Sequence, residues 1–450
     1  MKGSALKPLS QSLLKLNLQT SLSFLSVVTT FIEKSAAILG LEEKEALLLT
    51  MAGEEIFSHL CQKAPDTEVE IQCSGAGYYV QIEFLIDVYN LDLKAFNLTT
   101  PIRPEEDAFQ EDLGLILASR SVDRFQIWEE KGRGLHLCLI KEKVYPQGTD
   151  EVPLAARPLA EFFLKTPDRE EIKLMARLAL SQYPSQVLPV FFPFPGKVAD
   201  MAAEKAFKAV VAVDPQGHMG GGILWYWRGA KIVACSGPYL FNQLQGSAIA
   251  EALVEAVLAD IARTKAVGLL CRYPTADLPA KYFEPLGSFS FFPSEGSPLS
   301  ITAYFRQLQE DPGAMVWSHP EMEPFLRQEF KRRTLPREIR TVTDFGEAKN
   351  PFSVLSPTFD RGRSLVTLQP VRPGRDGENN LRDHLEILRK EQWRNIYFEM
   401  DLSKSWQVEF VPALYNNHFR PCLVLPYAGD GDLVLFQAEA PASQSAGNHL

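Results

Sequence analysis

Cysteine is sparse and unpaired: the six thiols, Cys61, Cys73, Cys138, Cys235, Cys271 and Cys422, show no CxxC spacing. That pattern excludes a disulfide framework or a cysteine-built zinc site as the organising device, and it suits a reducing cytosol. The seven histidines are equally scattered, so no metal site is legible. No run approaches the ~20 apolar residues needed to span a bilayer. Near Lys2 and Lys7, polar residues interrupt every apolar stretch before a signal-peptide core could form. Positive charge is in deficit: the net charge of −10 argues against a general binder of nucleic acid or anionic membrane. No aromatic–basic pattern supports nucleic-acid recognition either. The expectation is a soluble, cytoplasmic protein with neither membrane nor nucleic acid as partner.

What is present is ordinary globular chemistry, with 46% apolar and 23% charged residues. A chain of 450 residues is too long for one core, so two or three domains are expected. The segment 1–145 opens with helical periodicity in "LSFLSVVTTFIEKSAAILG" and "LEEKEALLLTMAGEEIFSHLCQKA". Period-two strands follow, "EVEIQCS" and "YYVQIEFLI", then a helix in "EDLGLILASRSVD" and the strands "RFQIWEE" and "GLHLCLIKEK". That order predicts helices on one face of a mostly antiparallel sheet. Residues 146–171 read as a proline-punctuated linker. The segment 172–298 alternates helices with the strands "KAVVAVD", "MGGGILWYW", "AKIVACSG" and "AVGLLCR". A C-terminal α/β lobe occupies 299–440, with strands in "SLVTLQPV", "NIYFEMDL" and "LVLFQA" and a helix in "NLRDHLEILRKEQW", before a polar tail at 441–450. The fold class expected is α/β (α+β), a two-layer N-terminal sandwich followed by one or two mixed-sheet domains.

One turn carries a chemical suggestion. In "FNQLQGSAIAEALVEAVLADIART", Gln243, Leu244, Gln245, Gly246, Ser247 and Ala248 run from a strand into an amphipathic helix. Backbone N–H groups converging at a helix N-terminus form an anion nest, aided by the helix dipole. Small residues at Gly246 and Ala248 would admit a pyrophosphate without a Cβ in the way. The same residues also suit an ordinary glycine turn ahead of a helix.

With a strand before it, a helix and strand after it, and "KYFEPLGSF" beyond, the unit 172–292 resembles a GNAT-type acyl-CoA N-acetyltransferase. "QLQGSA" matches that family's Gln/Arg-x-x-Gly-x-Gly/Ala pattern. The resemblance implies acetyl-CoA as cofactor, with its pyrophosphate on the amides of residues 243–248 and a small-molecule or protein amine as acceptor. It implies paired central strands in "AVVAVDPQGHMGGGILW" and a late helix in "YFEPLGSF". The family's thiolate-protonating tyrosine points to Tyr282, one residue from its usual place, where Phe283 stands. Tyr239 and Glu284 are the other catalytic candidates. "NIYFEMDLSKSWQVEFVPALYNNHFRPCLVLP" has the rhythm of a second such lobe, expected to shape the acceptor cleft.

A second resemblance lies in residues 21–143, to the GHKL-type ATPase domain of bacterial anti-sigma-factor serine kinases. There a helix carries Glu and, four residues on, an Asn for Mg²⁺; here Glu55 is retained and His59 replaces the Asn. Imidazole is a poor ligand for hard Mg²⁺. Asp87 stands near the adenine-reading aspartate with Val88 in place of glycine, and Gly114 survives in the glycine-rich box beside Asp112. The resemblance implies a degenerate nucleotide site for ATP/Mg and a sigma- or anti-sigma-type protein partner, with serine kinase activity not expected. Two functions follow: an acyl-CoA-dependent N-acetyltransferase with a regulatory ATP-binding-like module, or a signalling protein that binds without turnover.

Overall fold

A computed structural model of the protein describes residues 13–88, 93–99, 121–130, 134–148, 157–243, 248–294, 296–342 and 350–439. The first unit comprises β1 (Leu14–Gln19), α1 (Leu25–Ile38), α2 (Glu43–Lys63), β2 (Glu68–Ala76), β3 (Tyr79–Ile86), β4 (Arg124–Glu130) and β5 (Gly134–Glu142). Its strands form one antiparallel sheet in the order β1-β2-β3-β5-β4. Alternation sends Val69, Ile71, Ile82 and Phe84 to one face, where Val28 and Ile32 of α1 and Leu49 and Ile56 of α2 cover them. Gly53 lets the helices cross closely, since a Cβ there would stand 2.4 Å from Ile32 Cδ1. The two-layer sandwich is therefore present. β1 was not expected: Leu14, Leu16 and Leu18 alternate too briefly to stand out from the sequence around them. The expected helix in "EDLGLILASRSVD" lies almost wholly outside the described residues.

The second unit holds β6 (Phe163–Lys165), α3 (Arg169–Gln182), α4 (Pro195–Ala203), β7 (Lys208–Val213), β8 (Met219–Trp227) and β9 (Ile232–Leu240), followed by α5 (Ala248–Ile261), β10 (Gly268–Cys271), β11 (Glu284–Phe291) and β12 (Leu299–Gln307). Its seven-stranded sheet runs β11-β12-β10-β9-β8-β7-β6. Only β9 and β10 are parallel, and α5 makes the crossover between them. α3 and α4 cover one face, around Met175, Val198 and Tyr239; α5 covers the other through Ile249, Leu253 and Val257. Three expectations are corrected. The tail of the presumed linker supplies β6 and the start of α3, because Asp168 closes a capping box with Glu171 and starts the helix early. The late helix shrinks to a single 3-10 turn at Ala280–Tyr282, and "EPLGSF" belongs to strand β11, which pairs along β12. β12 places residues 299–307 in this same sheet.

Next come β13 (Ala314–Ser318), α6 (Glu323–Arg332) and β14 (Arg337–Thr341), the two strands pairing in parallel. The third unit contains β15 (Val354–Asp360), β16 (Leu365–Arg372), α7 (Gly377–Lys390), β17 (Asn395–Asp401), α8 (Val411–Asn416), β18 (Phe419–Leu425) and β19 (Leu433–Ala438). Its sheet order, β15-β16-β17-β19-β18, repeats β8-β9-β10-β12-β11 pairing for pairing. The single parallel pair, β16 with β17, is again crossed by a helix, α7. Two lobes thus share one topology.

They meet at β11 and share a core of Leu270, Leu286 and Phe289 from one lobe with Tyr397, Leu423 and Leu435 from the other. The Gln437 amide accepts from Ser290 N at 3.0 Å and donates to Ser290 O at 2.6 Å. Asn395 does the same for Phe292, at 2.8 and 2.9 Å. Two side-chain amides stand in for a neighbouring strand and protect this sheet edge. The first unit docks on both lobes. Tyr145 donates to Asp200 at 2.6 Å, and buried Asn97 donates to Ser353 O at 2.8 Å while accepting from Leu355 N at 3.0 Å.

Candidate functional site: a fork in the sheet and the cleft behind it

β9 and β10 pair only from Ile232 to Ala234, although β9 runs on to Leu240. The cause lies in the pairing with β8. Gly222 faces Tyr239 but Leu224 faces Ser236, so two steps on β8 match three on β9. That extra residue is a β-bulge, which bends the strand and ends its regular pairing. The two parallel strands therefore fork.

α5 starts beyond the end of β9. Its first turn lies close to the sheet because β8 offers glycine: a Cβ at Gly221 would stand 2.8 Å from Tyr239 O and 3.1 Å from Ile249 Cγ2. Of the expected pyrophosphate nest, Leu244, Gln245, Gly246 and Ser247 lie outside the described residues. Ala248 is the first residue of α5. Gln243 is used as an internal clamp, accepting from Leu159 N at 3.1 Å and donating to Arg157 O at 3.0 Å and Phe241 O at 2.7 Å. The free edge of β9 is partly taken as well. Leu240 N donates to the Tyr183 hydroxyl at 2.6 Å, Tyr183 donates to Asp277 at 2.6 Å, and Thr275 donates to Pro238 O at 2.6 Å.

On the face of the sheet away from α5, a cavity of about 370 Å³ opens between the lobes. Ala234 and Ser236 of β9 and Leu270 of β10 form its floor, and residues 189–191, after α3, close one side. The opposite wall is the second lobe, through Thr358, Asp360, Thr367 and Glu399. Arg363 fastens this wall to the first lobe. Its Nε donates to Gln186 O at 3.0 Å and its Nη2 to Leu188 O at 2.6 Å, while Nη1 pairs with Asp360 at 3.1 Å.

Glu399 is the central charge, 6% exposed. Its Oε1 accepts from Arg228 at 3.0 Å and Arg272 at 2.7 Å, and its Oε2 accepts from Gln369 at 3.0 Å. Burial alone would raise this carboxyl, but the two guanidinium groups and their hydrogen bonds overcome it and hold it down to about 2. Glu399 is thus an ionised anchor and a poor base. Arg272 also lies within 6 Å of the rings of Tyr273, Phe289 and Tyr397, at 5.4, 5.8 and 5.8 Å from their centroids.

None of the three catalytic candidates lines this cleft. Tyr239 is fully buried and donates to Val187 O at 2.9 Å, and burial raises its hydroxyl well above the ordinary value of 10. It is a packing residue. Tyr282 donates to Glu255 on α5, a bond that raises its hydroxyl more than its slight burial does. Glu284 is exposed at the start of β11. In the first unit, His59 is buried on α2 one turn beyond Glu55, whose carboxyl is raised by burial and by Glu54. Asp87 is exposed just past β3, and Gly114 lies outside the described residues. Among the described residues, no three or more His, Cys, Asp or Glu side chains could together hold a metal ion, and no helix is long and apolar enough to cross a membrane.

The second lobe's own fork is filled. β16 and β17 pair only to Leu368 and Phe398, and the buried Gln407 side chain bridges the gap beyond. It accepts from Asp401 N at 2.6 Å and donates to Pro370 O at 3.3 Å.

The solved structures that resemble a third of this chain are GNAT acetyltransferases. One is the phosphinothricin acetyltransferase of Sinorhizobium meliloti in complex with acetyl-CoA, 18% identical, covering 33% of this chain and 89% of that one with a TM-score of 0.27. Another is an acetyltransferase from Salmonella typhimurium with its cofactor acetyl-CoA, 14% identical over 34% of this chain and 96% of that one, TM-score 0.28. A third is aminoglycoside 6'-acetyltransferase type Ii, 12% identical over 33% and 99%, TM-score 0.25. No protein-family model and no curated protein matches the sequence.

The sequence reading missed Arg228, Arg272 and Glu399. A detectable signal was there: "WYWRG", "LLCRY" and "YFEMD" each put a charge inside or at the end of an otherwise apolar strand. Such a charge must be paired or must serve a site.

Proposed function

We propose that the first lobe is an acyl-CoA-dependent N-acetyltransferase and that the second lobe is the outer wall of its acceptor cleft. The observation that supports this best is the bulge-driven fork between β9 and β10, with a helix start beyond the strand end and a small-molecule-sized cleft behind it. Acetyl transfer forms a bond between the acceptor nitrogen and the acyl carbon and breaks the carbon–sulfur bond; the amine loses a proton and the thiolate gains one. Alignment of the two reactants supplies much of the rate. The fork offers that alignment, with the donor's chain entering beside α5 and the amine entering from the cleft. Acetyl-CoA, when bound, supplies the activated acyl group. Residues 243–248 would hold its pyrophosphate, and Tyr273, which lines the cleft beside Arg272 and Arg363, is the hydroxyl assigned in this reading to protonate the leaving sulfur. An occupant hydrogen-bonding along β9 must first displace Tyr183 from Leu240.

The first unit is assigned, on its helix pair and sheet, as a regulatory module of ATP-binding-like form that docks a protein partner, in the manner of sigma and anti-sigma regulators in the bacterial cytoplasm. A second reading, binding without turnover, is favoured by the taken edge of β9 and by the ionised state of Glu399.

Calorimetry with acetyl-CoA on the wild type and on Gly246→Glu tests the donor site. Micromolar binding abolished by the variant is expected; equal affinity in both would overturn the assignment. Release of CoA thiol in the presence of mixed amines then separates turnover from binding alone.

A further inference from the structure

The charges in the inter-lobe cleft do not cancel. Among the described residues, Arg363 and Asp360 form one pair, leaving Arg228 and Arg272 against the single carboxylate of Glu399. A surplus cation thus sits in a confined site of a protein whose net charge is −10. Donors are in surplus as well. Arg272 Nε and Nη2 and Arg228 Nε are buried and have no acceptor among the described residues. Buried charged N–H groups without acceptors are costly, and native structures leave few of them unless a ligand or water completes the site. Glu399 is already engaged by both guanidinium groups at Oε1 and by Gln369 at Oε2, and none of the three buried N–H groups bonds to it. Gln369 and Arg228 are reachable from the cavity, the Arg228 side chain keeping 22% of its surface exposed, while Arg272 at 11% is packed behind.

We propose that this cleft recognises its occupant through a carboxylate held by Arg228, with the Arg272 charge packed behind it, so that the acceptor is a small amine bearing an acid group, of amino-acid type. The volume agrees: about 370 Å³ is at the lower end of the roughly 300–1,000 Å³ of small-molecule sites. Hydrogen bonds from a guanidinium to a carboxylate are also among the strong, charge-assisted ones, which suits Arg228 at the cavity wall. The inference rests on the transferase reading for the word acceptor, but the carboxylate site stands or falls by itself.

The test is calorimetry on the full chain with each of the twenty common L-amino acids. Every acid that binds is then compared with its decarboxylated amine, such as phenylalanine with phenethylamine or tyrosine with tyramine. At least one acid should bind, with its decarboxylated partner at least ten-fold weaker. Arg228→Gln should weaken the acid ten-fold or more and leave the amine unchanged, and Arg228→Lys should restore part of the loss. Should Arg228→Gln fail to melt cooperatively, Gln369→Glu on the exposed side of β16 supplies a competing carboxylate and should abolish acid binding. No binding by any amino acid, equal affinity for acid and amine, or indifference to these substitutions would overturn the site. Acetyl-CoA is titrated separately. An amino acid that binds where acetyl-CoA does not would keep this site and end the transferase reading, and the converse would do the opposite.

Discussion

Replacing Glu399 by Gln removes one negative charge from between two guanidinium groups without changing the shape of the side chain. The folded protein holds the Glu399 carboxyl at about 2 against an ordinary 4.5. At about 1.4 kcal/mol per tenfold change in ionisation, that lowering corresponds to about 3 kcal/mol favouring the folded state at neutral pH. Breaking a buried ion pair by removing one partner costs about 3–5 kcal/mol, the same scale. Glu399→Gln should therefore lose about 3 kcal/mol in urea unfolding at pH 7. The pH dependence identifies the cause. A carboxyl lowered on folding contributes its full stabilisation above the unfolded value, near 4.5, and loses it as pH falls towards 2. The gap between wild type and variant should therefore be constant from pH 7 to about 5, shrink at pH 3.5 and nearly close at pH 2.5. A gap below 1 kcal/mol at pH 7, or one unchanged at pH 3, would refute the view that the ion triad joins the lobes.

Two further outcomes are expected. Gly221→Ala drives a methyl to 2.8 Å from Tyr239 O and 3.1 Å from Ile249; it should cost about 1–3 kcal/mol in thermal unfolding and weaken acetyl-CoA binding by displacing the start of α5. His384 is buried, its Nδ1 facing Asn380 O at 2.8 Å, and burial lowers it to about 4 despite that bond. Because the unfolded chain takes up this proton first, the residue's contribution is intact above pH 6.5 and is lost between 6.5 and 4. His384→Gln should flatten the fall in stability across that window, as read by urea unfolding at pH 7 and 5.

Much of the architecture was legible from period and punctuation. β2 and β3 alternate cleanly, and α1 ends at Gly40, whose φ of +94° is the left-handed geometry of a helix stop. β8, β9 and β17 show as apolar runs bounded by turns. The unseen elements failed for physical reasons. β6 is three residues long and is defined by its partner β7 rather than by its own pattern. β11 begins with Glu284 and Pro285 and carries Gly287 at a register shift, so its composition reads as a turn although it pairs along β12. Tyr239 and Glu284 were candidates by residue type and neighbourhood in the chain, which cannot tell the buried face of a strand from its rim. Arg228, Arg272 and Glu399 are far apart in the chain, and only the meeting of the two lobes makes them one group.

The side chain of Gln407 has a consequence beyond sealing the second fork. Its carboxamide offers one oxygen to Asp401 N and one N–H to Pro370 O, as any secondary amide threaded between those strands would have to do. The second opening therefore already holds a flat amide of its own chain, aligned with the backbone on either side, and nothing else can thread between β16 and β17 without displacing it.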